Sequence, residues 1–173
     1  MAIAPDNKDW TWVLERPCPE CGFDARDVIV RNMPSQLHEL IRSWQEVLLR
    51  DDVAQRGSPD KWSPLEYSCH VRDVFRLFDQ RLESMVAQDG ARFDNWDQDK
   101  TAVEERYELQ DPSAVSQELV DAGTSLATRF AHIEASQWGH RGIRSDGSTF
   151  SVSTFAIYLA HDPIHHLWDV GQA

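Results

Sequence analysis

A chain of 173 residues, 41% apolar with seven tryptophans, can bury one hydrophobic core, and no stretch of it approaches the ~18 uninterrupted apolar residues that a membrane span needs. Its formal net charge of −12, with arginines set beside acids as in Arg26-Asp27 and Arg72-Asp73, argues against nucleic acid as a partner. Three cysteines do not make a disulfide framework, and the start, with Pro5, Asp6, Lys8 and Asp9, lacks the order of a secretory signal; a cytoplasmic protein with reduced thiols is expected.

The first 30 residues read as an extension that holds Cys18-Pro19-Glu20-Cys21-Gly22. Two thiols spaced this way on a tight turn look like half of a zinc ribbon. The matching half is missing, since the third cysteine is Cys69, so a structural metal, a redox pair and a plain loop with two thiols all remain open.

From residue 31 onward, four stretches carry apolar residues at helical spacing, without repeats or low-complexity blocks. The first, about Pro34 to Leu49, aligns Leu37, Leu40, Ile41, Trp44, Val47 and Leu48 on one face. The second opens at Ser63-Pro64-Leu65-Glu66, where serine can cap free amides and proline suits the first helical position. It continues through His70, Val74 and Leu82 until Gly90. The third opens on the same logic at Asp111-Pro112 and runs to Ile133. Between it and the fourth, Ser145-Asp146-Gly147 reads as a turn or small hairpin. The fourth runs from near Ser151 to about Val170, with Thr154, Tyr158, His161, His165 and Trp168 on one stripe. The connections Arg50 to Trp62 and Ala91 to Gln110, the latter holding Trp96 in a polar run, are read as crossing an end of the bundle. Four amphipathic helices predict an all-α four-helix bundle, a single domain over 1–173 with the bundle proper at 31–173.

His161 and His165, four apart on a helix, place two imidazoles on one face within reach of a single ion. Tyr158 and Trp168 on the same stripe turn that face toward packed surface, where an unsatisfied imidazole costs about 1–3 kcal/mol. His70 on the second helix could add a third nitrogen, and three neutral imidazoles would leave an open position on a divalent ion. The competing reading is that these are core histidines bonded to carbonyls or carboxylates. Asp162 and His166 are also four apart, but their stripe, with Phe155 and Leu159, shows no third partner. Asp73, Asp162 and Asp169 are candidates to orient an imidazole through its other N–H. Zinc is the default ion, with nickel and iron acceptable to imidazole. Pro163, inside the fourth helix, removes one hydrogen bond and either bends the helix beside the histidines or is without consequence. No catalytic acid, base or nucleophile is identified.

Trp62-Ser63-Pro64-Leu65-Glu66 leading to His70-Val71-Arg72-Asp73-Val74, followed by His161-Asp162-Pro163-Ile164-His165-His166-Leu167-Trp168-Asp169-Val170, resembles the DinB superfamily, in particular members related to mycothiol-dependent maleylpyruvate isomerase. The resemblance spans most of the chain. It implies a four-helix bundle with a long crossover and a divalent metal held by one histidine of the second helix and a spaced pair on the fourth, matched here by His70, His161 and His165. It further implies an enzyme joining a low-molecular-weight thiol, of the mycothiol, bacillithiol or glutathione class, to a small electrophile. The isomerase pattern has a glutamate at one ligand place on the last helix, from which these three histidines depart, so maleylpyruvate is not expected as the substrate. The alternatives are a non-catalytic metal-binding bundle, stress-related, and a metal-dependent hydrolase. A homodimer through apolar bundle faces is compatible with the pattern.

Overall fold

The computed structural model describes residues 9–171; Pro5, Asp6 and Lys8, on which the reading of the chain's start rests, lie outside them. The local signals set the helix starts. Ser63 and Glu66 form a reciprocal capping box, with the Glu66 amide donating to Ser63 Oγ at 3.2 Å and the Ser63 amide to Glu66 Oε2 at 2.8 Å, and Pro64 opens helix α2, Pro64–Ala87. Asp111 accepts from the Ser113 and Ala114 amides at 3.0 and 2.9 Å and starts α4, Pro112–Ala131. Ser151 and Thr154 form a second capping box at the head of α5, Val152–Asp169, which runs through Pro163. These side chains satisfy amides that the first turn leaves without partners. Helix α1, Met33–Leu48, buries Leu37, Leu40, Ile41, Trp44, Val47 and Leu48, the face its periodicity predicts.

Helix α4 packs against α1 and α2, and α5 against α2 and α1. The shared core centres on Trp44, Phe75, Leu82, Leu119, Leu126 and Phe155, all buried. The bundle is therefore the expected four-helix arrangement, with a short helix α3, Gln98–Glu104, in the crossover between α2 and α4. The small hairpin before the last helix is present as β2, Arg141–Arg144, and β3, Thr149–Ser151, antiparallel around Gly147 at φ +95. A third strand, β1, Ala91–Phe93, pairs parallel with β2. Its three residues lie in a stretch read from sequence as connection, since three positions are too few to display alternation.

The extension lies along the last helix. A 3-10 turn at Trp10–Leu14 contacts α5, and the loop carrying Cys18 and Cys21 folds back on itself, the Gly22 amide donating to the Cys18 carbonyl at 2.9 Å and the Cys18 amide to the Phe23 carbonyl at 2.8 Å. Gly22 adopts φ +74, a conformation that glycine enters without steric cost. Among the described residues no helix is long and apolar enough to cross a membrane.

Candidate metal centres

One turn of α5 presents two pairs of potential ligands in adjacent registers. His161 and His165 form the first, Asp162 and His166 the second, each pair four residues apart. Successive helix residues are rotated by about 100°, so the two pairs look out from the helix in different directions. The structure gives each its own partners.

His70 is fully buried on α2 and meets the second pair. Its Nε2 lies 3.3 Å from Asp162 Oδ1 and 3.4 Å from Oδ2, and His166 Nε2 lies 3.9 Å from Asp162 Oδ1. One donor atom from each of His70, Asp162 and His166 falls within 4.8 Å of the others. The third partner that the sequence pattern did not show for Asp162 and His166 is thus His70 itself. The trio expected from sequence, His70 with His161 and His165, is divided between two clusters, because the stripe shared with Tyr158 and Trp168 faces the N-terminal extension and the neighbouring stripe faces His70.

The second cluster is held by packing and by a carboxylate behind it. Trp62 and Trp96 both lie against the His70 ring, at centroid distances of 5.4 and 5.3 Å, Trp96 parallel to within 5°. Asp169 Oδ2 stands 2.9 Å from His166 Nδ1. With Nδ1–H donating to that carboxylate, the lone pair is left on Nε2, the nitrogen facing Asp162. Burial pushes the Asp162 carboxyl up, yet the surrounding imidazoles of His70, His166 and His161 outweigh it and hold the group well below the ordinary carboxylate range. Asp162 is an anion here, and its Oδ1 is buried without a hydrogen-bond partner.

His161 and His165 meet the extension. Cys18, Cys21, His161 and His165 each bring one donor atom within 4.8 Å of the others. The Cys18 Sγ to His165 Nδ1 distance is 3.6 Å, and the other ring nitrogen of His165 faces Glu20 Oε2 at 3.4 Å and Asp169 Oδ2 at 3.8 Å. Trp10 covers both rings, 5.3 Å from His161 and 5.0 Å from His165, and Phe23 adds an edge contact to His161 at 5.2 Å. Burial, and then the neighbouring His165, push His161 down to about 4; burial lowers His165 as well. Both imidazoles are therefore neutral near pH 7, the state in which they bind metals.

The carboxylates proposed as supports divide in the same way. Asp169 faces imidazoles of both clusters, whereas Asp162 sits among the donors themselves. Asp73 turns to Arg72, Arg76 and Tyr107; two guanidinium groups and a phenol hydroxyl engage it, and it orients no imidazole by any of these contacts. Glu20, inside the cysteine loop, and Trp96, in the polar crossover, carried no sequence signal because their roles depend on contacts distant in the chain.

A cavity of about 460 Å³ opens beside both clusters, lined by His161, Asp162, His165 and His166, by Trp10, Trp62, Tyr67, Tyr158 and Trp168, and by Glu20, Lys61, Gln98, Asp99 and Asp169. Aromatic walls with a few convergent polar groups suit a small molecule.

No family model and no curated protein matches the sequence. Solved structures do. YfiT from Bacillus subtilis, described as a probable metal-dependent hydrolase with an unusual four-helix bundle topology, superposes with a TM-score of 0.74 at 12% identity, covering 87% of this chain and 91% of that one. A mycothiol-dependent maleylpyruvate isomerase superposes at 0.67 and 13% identity, covering 85% of this chain and 62% of the isomerase. A variant of that isomerase gives 0.66 at 12% identity.

Proposed function

The chain has the DinB-like four-helix-bundle fold, and on that premise we propose that His70, Asp162 and His166 hold a divalent metal ion at a site where a low-molecular-weight thiol is joined to a small electrophile. The observation that carries the reading is an incomplete donor set, two imidazole nitrogens and one carboxylate oxygen, whose Asp162 and His166 also line a substrate-sized cavity. The residues fit a cation. The buried Asp162 Oδ1 has no hydrogen-bond partner, and an ion there would satisfy it. The ligand places on the last helix pass in this reading from the expected His161 and His165 to Asp162 and His166, and Asp162 then puts a carboxylate on that helix, where the isomerase pattern has a glutamate and the three-histidine expectation had none.

A divalent ion in such a site lowers the pKa of a thiol beside it, so that a thiolate exists near neutral pH; zinc, nickel and iron all accept these donors. The chain's own residues do the rest. Asp162 cancels one unit of the ion's charge, Asp169 fixes the ring of His166, and the two tryptophans against His70 hold that ring and keep water from it. Tyr67, Tyr158 and Trp168 offer the electrophile an apolar wall, and Lys61 sits at the same cavity, where a substrate carboxylate would find a counter-charge. The nucleophile has to arrive with the substrate. Cys69 is buried with its thiol pushed up to about 12 by desolvation, and Cys18 and Cys21 belong to the other cluster. Mycothiol, bacillithiol and glutathione are the class to try, and the isomerase neighbour, itself mycothiol-dependent, supports that choice.

Hydrolysis is the second reading. Glu20 and Asp99 line the cavity and could accept a proton from water, and YfiT is described as a probable hydrolase. One assay separates the two. Metal-loaded protein, supplied with each thiol and a panel of electrophiles, is expected to consume thiol only when both are present, and His166→Ala to lose roughly 100-fold or more of that rate. Cleavage of an ester and amide panel without thiol consumption would transfer the conclusion to hydrolysis. Bound metal that raises thermal stability, with no turnover in either panel, would leave a non-catalytic metal-binding bundle.

A further inference from the structure

The cluster of Cys18, Cys21, His161 and His165 is left unused by that reading, and its chemistry differs. We propose that these four residues form a closed, structural zinc site that fastens the N-terminal extension to helix α5.

The donors are right in number and kind. Two sulfurs and two imidazole nitrogens favour tetrahedral zinc, the two thiolates cancel the charge of the ion, and binding releases their two protons. The spacing fits too. With Zn–S of about 2.3 Å and Zn–N of about 2.05 Å at a tetrahedral angle, sulfur and nitrogen stand about 3.6 Å apart, the distance found between Cys18 Sγ and His165 Nδ1. His165 is already oriented for this role, because Glu20 and Asp169 face its Nε2 and leave Nδ1 toward the sulfur. Glu20 is one of the two residues between the cysteines, so the loop brings both the thiols and an acceptor for the partner imidazole. Gly22 at φ +74 and the hydrogen bond that its amide donates to the Cys18 carbonyl give the tight turn that lets two cysteines point at one centre.

Burial makes the site structural. Cys18, His161 and His165 are 1%, 4% and 5% exposed, Trp10 and Phe23 close over the rings, and His161 Nε2 is buried without a hydrogen-bond partner. Four protein donors leave no vacancy for a reactant, in contrast to His70, Asp162 and His166. The chain would then carry two metal sites of opposite purpose on adjacent stripes of one helix, with Asp169 touching an imidazole of each.

The test is to load the full chain, purified under reducing conditions, with cobalt and separately with zinc. Cobalt is expected to give the intense visible bands of a tetrahedral ion together with near-ultraviolet thiolate-to-metal charge transfer. X-ray absorption at the zinc edge is expected to show sulfur at about 2.3 Å beside nitrogen at about 2.0 Å. His166→Ala should keep both signatures, since His166 packs edge-on against His165 at 5.8 Å but supplies no donor to this site, and C18S/C21S should lose the sulfur signatures along with one zinc per chain. Should the double variant fail to fold, the wild-type spectra decide. Zinc bound by nitrogen and oxygen alone, or a Cys18–Cys21 disulfide persisting in the reduced preparation, would overturn the proposal and leave the thiol-transfer reading standing.

Discussion

Asp73 lies three residues beyond His70 on α2, yet its carboxylate accepts from Tyr107 Oη at 2.5 Å and from Arg72 Nε and Nη2 at 2.9 and 3.0 Å. Arg72 is only 4% exposed and reaches Glu118 and Gln110 with its remaining N–H groups. Burial pushes the Asp73 carboxyl up, but Arg72 and Tyr107 outweigh that and hold it below the ordinary value of 3.8. A carboxylate whose folded pKa is depressed contributes stability that is complete above its unfolded pKa and is lost as pH falls through the folded one. Asp73→Asn leaves a buried guanidinium short of its main counter-charge, and we expect a loss of about 3 kcal/mol at pH 7. In urea unfolding the gap between variant and wild type should narrow below about pH 4, as the wild-type carboxylate protonates. Equal midpoints at pH 7, or a gap unchanged at pH 3, would contradict this account.

Helix α5 shows which parts of the architecture are legible in the chain and which are not. Its start is local information, a serine with a threonine three residues on, and Ser63-Pro64 and Asp111-Pro112 announce α2 and α4 equally well. The apolar stripes of α1 and α4 likewise emerge as read. What the chain does not display is the azimuth of α5. His161-Asp162 and His165-His166 offer two i, i+4 pairs in successive registers, and the choice of which one meets His70 is a rotation of about 100° fixed by everything packed around the helix. The histidine pair is correctly read as buried, but what buries it is the Cys18–Phe23 loop and Trp10, segments without helical periodicity whose placement no spacing rule predicts. A similar long-range constraint acts at Gly123 on α4. A Cβ there would lie 2.6 Å from Ile41 Cδ1 and 3.1 Å from Phe75 Cδ2, so α1 and α4 approach through the missing side chain. Gly123→Ala should destabilise by about 1–3 kcal/mol through overpacking, despite the better helix propensity of alanine; a variant as stable as wild type in thermal unfolding would show that Ile41 yields freely.

At the scale of the molecule, the bundle and its extension are held by different forces. Helices α1, α2 and α4 share a continuous apolar core around Trp44, Phe75 and Leu126, whereas residues 9–30 bury few large side chains apart from Val13 and Phe23, and much of their apolar contact with α5 passes through Trp10, Phe23 and the histidines. If zinc joins the cysteine loop to α5, removing it should release the extension and leave the bundle folded. A ligand present at about 1,000 times its dissociation constant stabilises by roughly 4 kcal/mol, which for a chain of this size corresponds to a fall of roughly 10 °C in the thermal midpoint when the ion is withdrawn. A strong chelator with reductant should therefore lower the midpoint by about that much and make the peptide bonds after Arg26 and Arg31 susceptible to trypsin. Trp10, no longer packed against His161 and His165, should change its fluorescence in step with zinc release, while helical circular dichroism stays close to its starting value. The same treatment of C18S/C21S should change the midpoint far less, because that variant has no zinc to lose at this place. An extension that stays protected from trypsin after the zinc is gone would mean that aromatic packing alone holds it, and the ion would then have no structural role to explain.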